Sequence, residues 1–222
     1  MRKYYEAYDD RYLQVHEKHL QWASSAPSAI VGQVMERFGI HAESSVLELG
    51  CGEGRDAAYL LKGGYDLTAT DISPEAVRYC RRENPQWAER FHVLDCVAEE
   101  WSAKYDFIYA VAVIHMLVED DDRVRFYHFI REHLKENGSA LICTMGDGKT
   151  ERKSDVSIAF ELQARIHGET GEKLLLAGTS CRMVTWEEFH REIRDSGMEI
   201  AEHGLTAVEP DFPVMMYAVV RK

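Results

Sequence analysis

The chain has 222 residues, of which 45% are hydrophobic and 29% charged. That composition is ordinary for a globular domain and fits neither a disordered nor a fibrous chain. Lys plus Arg number 26 against 38 Asp plus Glu, a formal charge of −12 that repels a phosphate backbone, so nucleic acid is excluded as the expected partner.

The first 44 residues carry helical signals and precede the first strand, with Ser28 placed to cap the run AIVGQVMERFG. Tyr4, Tyr8 and Tyr12 recur every four residues and lead into His16, His19 and Trp22, an aromatic helix that reads either as packing on a sheet or as a lid. Tyr12 and Trp22 are the candidates for contact with a bound molecule. From Ser45 onward, strand-length apolar runs alternate with amphipathic helical segments, the pattern of parallel strands joined by crossover helices. SVLEL (45–49) ends in glycines and gives way to the helix RDAAYLLK, which stops at Gly63 and Gly64. DLTAT (66–70) runs into Asp71, after which Ser73 and Pro74 open a second helix.

FHVLD (91–95) is predicted as a third strand and DFIYAVAVI (106–114) as a fourth. A helix over 123–138 and a fifth strand over 139–145 follow. Residues 146–184 form a 39-residue interruption, too long for a plain loop, that reads as a functional segment or a small helical cap. Its Arg152, Lys153, Arg165, His167, Cys181 and Arg182 are candidate sources of substrate selectivity. Thr185 and Glu188 make a capping box for the last helix, and 199–208 with 214–222 form a closing strand pair.

The whole is expected to be one α/β domain over 1–222: a Rossmann-like, doubly wound, mostly parallel seven-stranded sheet with an antiparallel final strand. Its parts are an N-terminal helical lid (1–44), a core (45–146), an insertion after strand five (147–184) and a closing helix with strands (185–222). The apolar run from Tyr109 to Val118 is far short of the roughly 20 residues that span a bilayer, and the N-terminus has no signal-peptide character. Five widely spaced cysteines suggest neither a disulfide framework nor a metal site, so reduced thiols, no metal, no membrane and a cytoplasmic location are expected.

The turn ELGCGEG places Gly50, Gly52 and Gly54 between a strand and a helix, where the backbone can turn sharply and a ligand can lie against main-chain atoms. The spacing is GxGxG rather than the dinucleotide GxGxxG. Glu48, just before it, repels a pyrophosphate and suits an ammonium or sulfonium group. Asp71 follows Gly50 by 21 residues at a strand end, where it can accept from ribose hydroxyls, and Asp95 ends the next strand, where it can accept from an exocyclic amine. His115, after the fourth strand, is either a base near the substrate or a packed loop histidine. Asp120, Asp121 and Asp122 read as helix-dipole compensation, and Asp106 as a polar strand start.

These residues resemble the class I S-adenosylmethionine-dependent methyltransferases. VLELGCGEGRDAAYL is similar to their first motif, TATDIS to the second, VLDC to the third, YDFIYAVAVIHML to the fourth and LKENGSALICTMG to the fifth, covering residues 44–146. GCGxGRDA followed by DIS is most similar to bacterial small-molecule enzymes of the tellurite- and thiopurine-methylating type. The resemblance implies S-adenosylmethionine as cofactor and S-adenosylhomocysteine as product. It implies that Glu48 with Gly50, Cys51, Gly52 and Gly54 holds the methionine part, Asp71 with Ile72 the ribose side, and Asp95 with Cys96 the adenine. Ala110 and Val111 would line the sulfonium, and Arg55 could reach the cofactor carboxylate. The partner expected is a small-molecule methyl acceptor, the chain being a monomer or homodimer. A catalytically silent cofactor-binding module and an NAD-dependent oxidoreductase are the alternatives.

Overall fold

In the computed structural model, which describes residues 2–168 and 170–222, one seven-stranded sheet divides two helical layers. The central strands are β1 (Ser45–Leu49), β2 (Asp66–Asp71), β3 (Phe91–Val93), β4 (Tyr105–Val111) and β5 (Leu134–Met145). The insertion adds β6 (Arg152–Lys153), β7 (Leu162–Ile166), β8 (Lys173–Ala177) and β9 (Arg182–Met183), and the chain closes with β10 (Glu199–Val208) and β11 (Phe212–Arg221). The sheet order is β10-β11-β5-β4-β1-β2-β3. All its neighbours are parallel except β11, which runs antiparallel to both β5 and β10. The order reverses between β1 and β4, and so opens a crevice at the strand carboxyl ends.

The helices are α1 (Ala7–His16), α2 (Ala29–Arg37), α3 (Arg55–Lys62), α4 (Pro74–Glu83), α5 (Asp120–His133) and α6 (Trp186–Asp195). Alternation along β1 sends Val46 to the layer of α2, α3 and α4, where it meets Val34, Leu60 and Val77. Leu47 and Leu49 go to the other layer, with Phe126 and Ile130 of α5 and Phe189 of α6. Both faces are therefore covered, as a parallel sheet requires. No helix among the described residues is long and apolar enough to cross a membrane.

Three local expectations are corrected. The helix predicted to 138 ends at His133, and residues 134–138 already belong to β5. A Cβ on Gly138 would approach the Tyr105 carbonyl to 3.0 Å, so this glycine serves strand pairing rather than a helix stop. Ser28 makes no side-chain cap; its N–H donates to Asp56 Oδ1 (2.5 Å) instead, while Ser73 and Thr185 do cap, accepting from Ala76 N and Glu188 N. The long interruption is not a helical cap. It holds two two-stranded antiparallel sheets, β6 with β9 and β7 with β8.

The β7–β8 hairpin and α1 form one cover. Arg11, buried in α1, donates to the carbonyls of Ala177 (2.8 Å) and Gly178 (3.0 Å), and Gln14 Oε1 accepts from Ala177 N (2.7 Å). Val15 packs against Leu174 and Leu176. Below the cover, Tyr8 Oη donates to the Ser180 carbonyl, and Ser180 Oγ in turn to that of Met116.

Candidate cofactor site

Strand β1 ends at Leu49 and the chain turns through Gly50, Gly52 and Gly54, all at positive φ (70°, 52° and 80°), which side-chain-bearing residues adopt at a cost. The turn is also packed to contact. A Cβ on Gly50 would collide with Val113 Cγ2, and one on Gly52 would lie 2.7 Å from Tyr12 Oη. Cys51 is buried behind the turn, its N–H donating to the Thr70 carbonyl.

Asp71, at the tip of β2, is 7% exposed and accepts from Gly52 N and Ser73 N, both at 2.8 Å. Burial pushes its carboxyl up to about 6 against the pull of those two N–H groups. Beyond β3, Asp95 accepts from Val97 N at 2.9 Å and from Tyr5 Oη at 3.1 Å. The Cys96 thiol is pushed up to about 12, by burial first and Asp95 second, so it stays protonated.

These groups line a cleft at the carboxyl ends of β1 to β4. Of the candidate residues, Gly50, Asp71, Ile72, Asp95 and Cys96 line it, and Tyr12 closes it from α1. Tyr5, Tyr8, Val113, Met116 and Leu117 line it too and were not singled out for it. The aromatic repeat at 4, 8 and 12 was the available signal for Tyr8; nothing local marked Val113 or Met116.

Several expected residues lie elsewhere. Glu48 points to the opposite face of β1, 4% exposed, with Oε2 lacking a hydrogen-bond partner among the described residues. Burial, then the nearby Asp56, pushes its carboxyl well above the ordinary range, which disfavours its charged form. Arg55 pairs with Asp211 (2.8 Å) and Ser24 Oγ (3.1 Å) on the outer side of α3. Trp22 packs beside Leu174 and Leu176, its ring 4.6 Å from the Arg11 guanidinium carbon. Ala110 and Val111 sit within β4, in the two opposite core layers rather than on the cavity wall. Gly54 shapes the turn from behind, since a Cβ there would meet Cys80 Sγ at 2.8 Å.

His115 follows the cavity residue Val113 in a short 3₁₀ turn (Ile114–Met116) but turns away toward Phe212, with ring centroids 5.6 Å apart. Burial, aided by Arg123, pushes its pKa down to about 4, so the imidazole is neutral at pH 7 and Nδ1 has no partner among the described residues. Three basic residues of the insertion make contacts away from the cavity. Arg182 binds the Val118 carbonyl and Asp120, Lys153 faces Glu119, and His167 Nε2 lies 2.6 Å from the Gln21 carbonyl oxygen. Asp106 joins Ser45 and Lys135 at the far end of the sheet, and Asp122 accepts from Tyr4 Oη.

The arrangement fits an adenosyl nucleoside. The cleft combines apolar walls, tyrosines from the N-terminal segment and two carboxylates at neighbouring strand tips with a glycine turn, the mix of apolar surface and a few placed polar groups that binds a cofactor.

Residues 46–138 match the family described as a methyltransferase domain. Over 117 residues the chain is 29% identical to a probable S-adenosyl-L-methionine-dependent methyltransferase, TehB, of Haemophilus influenzae, a match covering 52% of this chain and 41% of that protein. The matched region thus spans less than half the length of that relative. Among solved structures, the 1,6-didemethyltoxoflavin-N1-methyltransferase of Burkholderia thailandensis, with bound 1,6-didemethyltoxoflavin and S-adenosylhomocysteine, superposes with a TM-score of 0.71 at 18% identity, over 97% of this chain and 87% of that one. An S-adenosylmethionine-dependent methyltransferase from Clostridium acetobutylicum superposes with a TM-score of 0.67 at 14% identity, over 95% of each chain. At these identities the structural likeness establishes the fold.

Proposed function

We propose that this chain, which carries a methyltransferase domain on the class I S-adenosylmethionine-dependent methyltransferase fold, passes the methyl group of S-adenosylmethionine in line to a small-molecule acceptor. The observation that carries this reading is the convergence of the glycine turn, Asp71 and Asp95 on one covered cavity. The H. influenzae relative and the B. thailandensis neighbour support it by name, the second with a small heterocycle bound.

Asp71 would accept from the ribose hydroxyls with the lone pairs its two backbone donors leave free. Asp95 would accept from the adenine amine, with Ile72, Leu94, Cys96 and Val97 against the ring. The main chain of Gly50 and Gly52 would face the methionine part, with Glu48, Cys51, Gly54 and Arg55 supporting the turn from behind. S-adenosylmethionine supplies a methyl group already activated by its sulfonium. The work left to the protein is positioning and exclusion of water, which can contribute up to about 7–11 kcal/mol when the reacting atoms are aligned. Tyr5, Tyr8 and Tyr12 close that space. His115 lies off the cavity wall, and an imidazole pushed down to about 4 removes protons poorly at pH 7, so general-base catalysis is not assigned to it.

The test is a thermal-shift and calorimetric comparison of S-adenosylhomocysteine with NAD, followed by an S-adenosylhomocysteine-release assay across thiol, amine, hydroxyl and metalloid acceptors. Stabilisation by NAD alone would overturn the reading. Tight nucleoside binding without turnover on any acceptor would assign the chain as a binding module.

A further inference from the structure

The cover is fastened to the glycine turn by a charged cluster that methyl transfer does not use. His16, in the last turn of α1, has a side chain only 6% exposed, with Nε2 2.9 Å from Glu53 Oε1 and Nδ1 2.6 Å from Glu75 Oε1. Glu53 lies inside the turn, between Gly52 and Gly54, and Glu75 lies in the first turn of α4 just beyond Asp71. The Glu53 carboxylate also accepts from Trp22 N (2.7 Å) and Ala23 N (2.8 Å), on the strap leaving α1. One residue of the glycine turn therefore holds the lid helix and its exit at once.

A neutral imidazole carries one N–H and one bare nitrogen, whereas two ionised carboxylates at hydrogen-bond distance each need a donor. Only the imidazolium supplies both. The surroundings agree from each side. Tyr79 of α4 stacks on the ring at 4.4 Å, and Tyr12 of α1 lies at 5.9 Å. Asp9 of α1 accepts from Glu75 N and Ser73 Oγ, adding a third negative charge, and the cation Arg78, which pairs with Glu75, is itself largely exposed. Burial pulls the His16 pKa down, but the hydrogen bonds and charges of Glu53 and Glu75 outweigh it and leave the pKa above its ordinary value.

We propose, on the methyltransferase reading for what the lid covers, that His16 is a positioning residue whose imidazolium latches α1 to Glu53 of the glycine turn and to Glu75 of α4. Loss of its proton releases the lid. The closed lid holds the proton more tightly than the open one. The latch is thus fully made below about pH 6.5, the value of a free imidazole, and weakens as pH rises through the higher value of the closed state.

The test uses the free full-length chain. Hydrogen exchange followed by mass spectrometry at about pH 6 and about pH 9, corrected for intrinsic rates, is expected to show protection over residues 7–23 falling roughly tenfold or more, with β1 and β4 unchanged as internal standards. His16→Gln is expected to show the low protection at both pH values. NMR titration of the His16 ring in the unmutated chain needs no variant to fold; it is expected to give a pKa above the ordinary histidine value, falling in Glu53→Gln. Equal lid protection at both pH values, or a His16 ring titrating at or below the ordinary value, overturns the latch. Failure to bind S-adenosylhomocysteine at any pH would overturn the methyltransferase reading and leave these ligand-free measurements standing.

Discussion

Tyr5 Oη lies 3.1 Å from Asp95 Oδ2, a hydrogen bond that joins the N-terminal segment to the far wall of the cavity across 90 positions of sequence. Both residues line the space assigned to the adenine, so lid and wall are set against each other by the group expected to read the exocyclic amine.

Asp95→Ala is therefore expected to weaken S-adenosylhomocysteine binding by about 1–3 kcal/mol in calorimetry, and Tyr5→Phe to lower folding stability in urea by about 1–2 kcal/mol. Undiminished affinity in Asp95→Ala would remove Asp95 from the adenine subsite.

Asp71 does two jobs. Because it also satisfies Gly52 N and Ser73 N, Asp71→Ala is expected to lose about 1–3 kcal/mol of nucleoside affinity and to lower the melting temperature as well, in contrast to a residue that only touches ligand.

Ribose hydroxyls donate to the charged form of Asp71, so binding favours its deprotonation. Affinity is expected to fall as pH drops through about 6, with proton release on binding in that range, measurable by titration in buffers of different ionisation enthalpy. Asp71→Asn should abolish that release. The sign is opposite to that of the His16 latch, which fails toward high pH.

Gly52 and Tyr12 form a steric pair. Gly52→Ala should cost about 1–2 kcal/mol from its positive φ, plus lid displacement, because the new Cβ meets Tyr12 Oη. In a Tyr12→Phe background the nearest ring atom, Cζ, is 3.7 Å from that Cβ, so part of the loss of S-adenosylhomocysteine affinity should be recovered. Strictly additive losses would refute the contact.

Glu48→Gln separates charge from shape. A neutral, buried carboxyl replaced by its amide should change nucleoside affinity less than threefold, whereas an ionised Glu48 facing the sulfonium predicts a loss greater than tenfold, or about 1.4 kcal/mol.

The strand, turn and acid pattern from Ser45 to Asp95 was readable because each signal is local: a buried run, glycines at fixed spacing, a carboxylate at a strand tip. The distance of Glu48 from Gly50 is legible in the sequence, but its burial beside Asp56 is a matter of which face of β1 it occupies. LKENG reads as a helix end by composition, and the pairing of Leu134 with Tyr105 of β4 leaves no local pattern that announces it. Leu162 to Ile166 and Lys173 to Ala177 have little core of their own, and the hairpin they form is stabilised by Arg11 and Val15 from more than 140 residues away. Such long-range support leaves no periodicity to read, and the same holds for Val113 and Met116 at the cavity.

Arg11 and Gln14 tie the β8 end to α1, and Ser180 joins that piece to Met116 at the cavity wall. On the proposed function, a substitution that loosens the hairpin, far from any nucleoside, is therefore expected to be felt at the Met116 edge of the binding cleft.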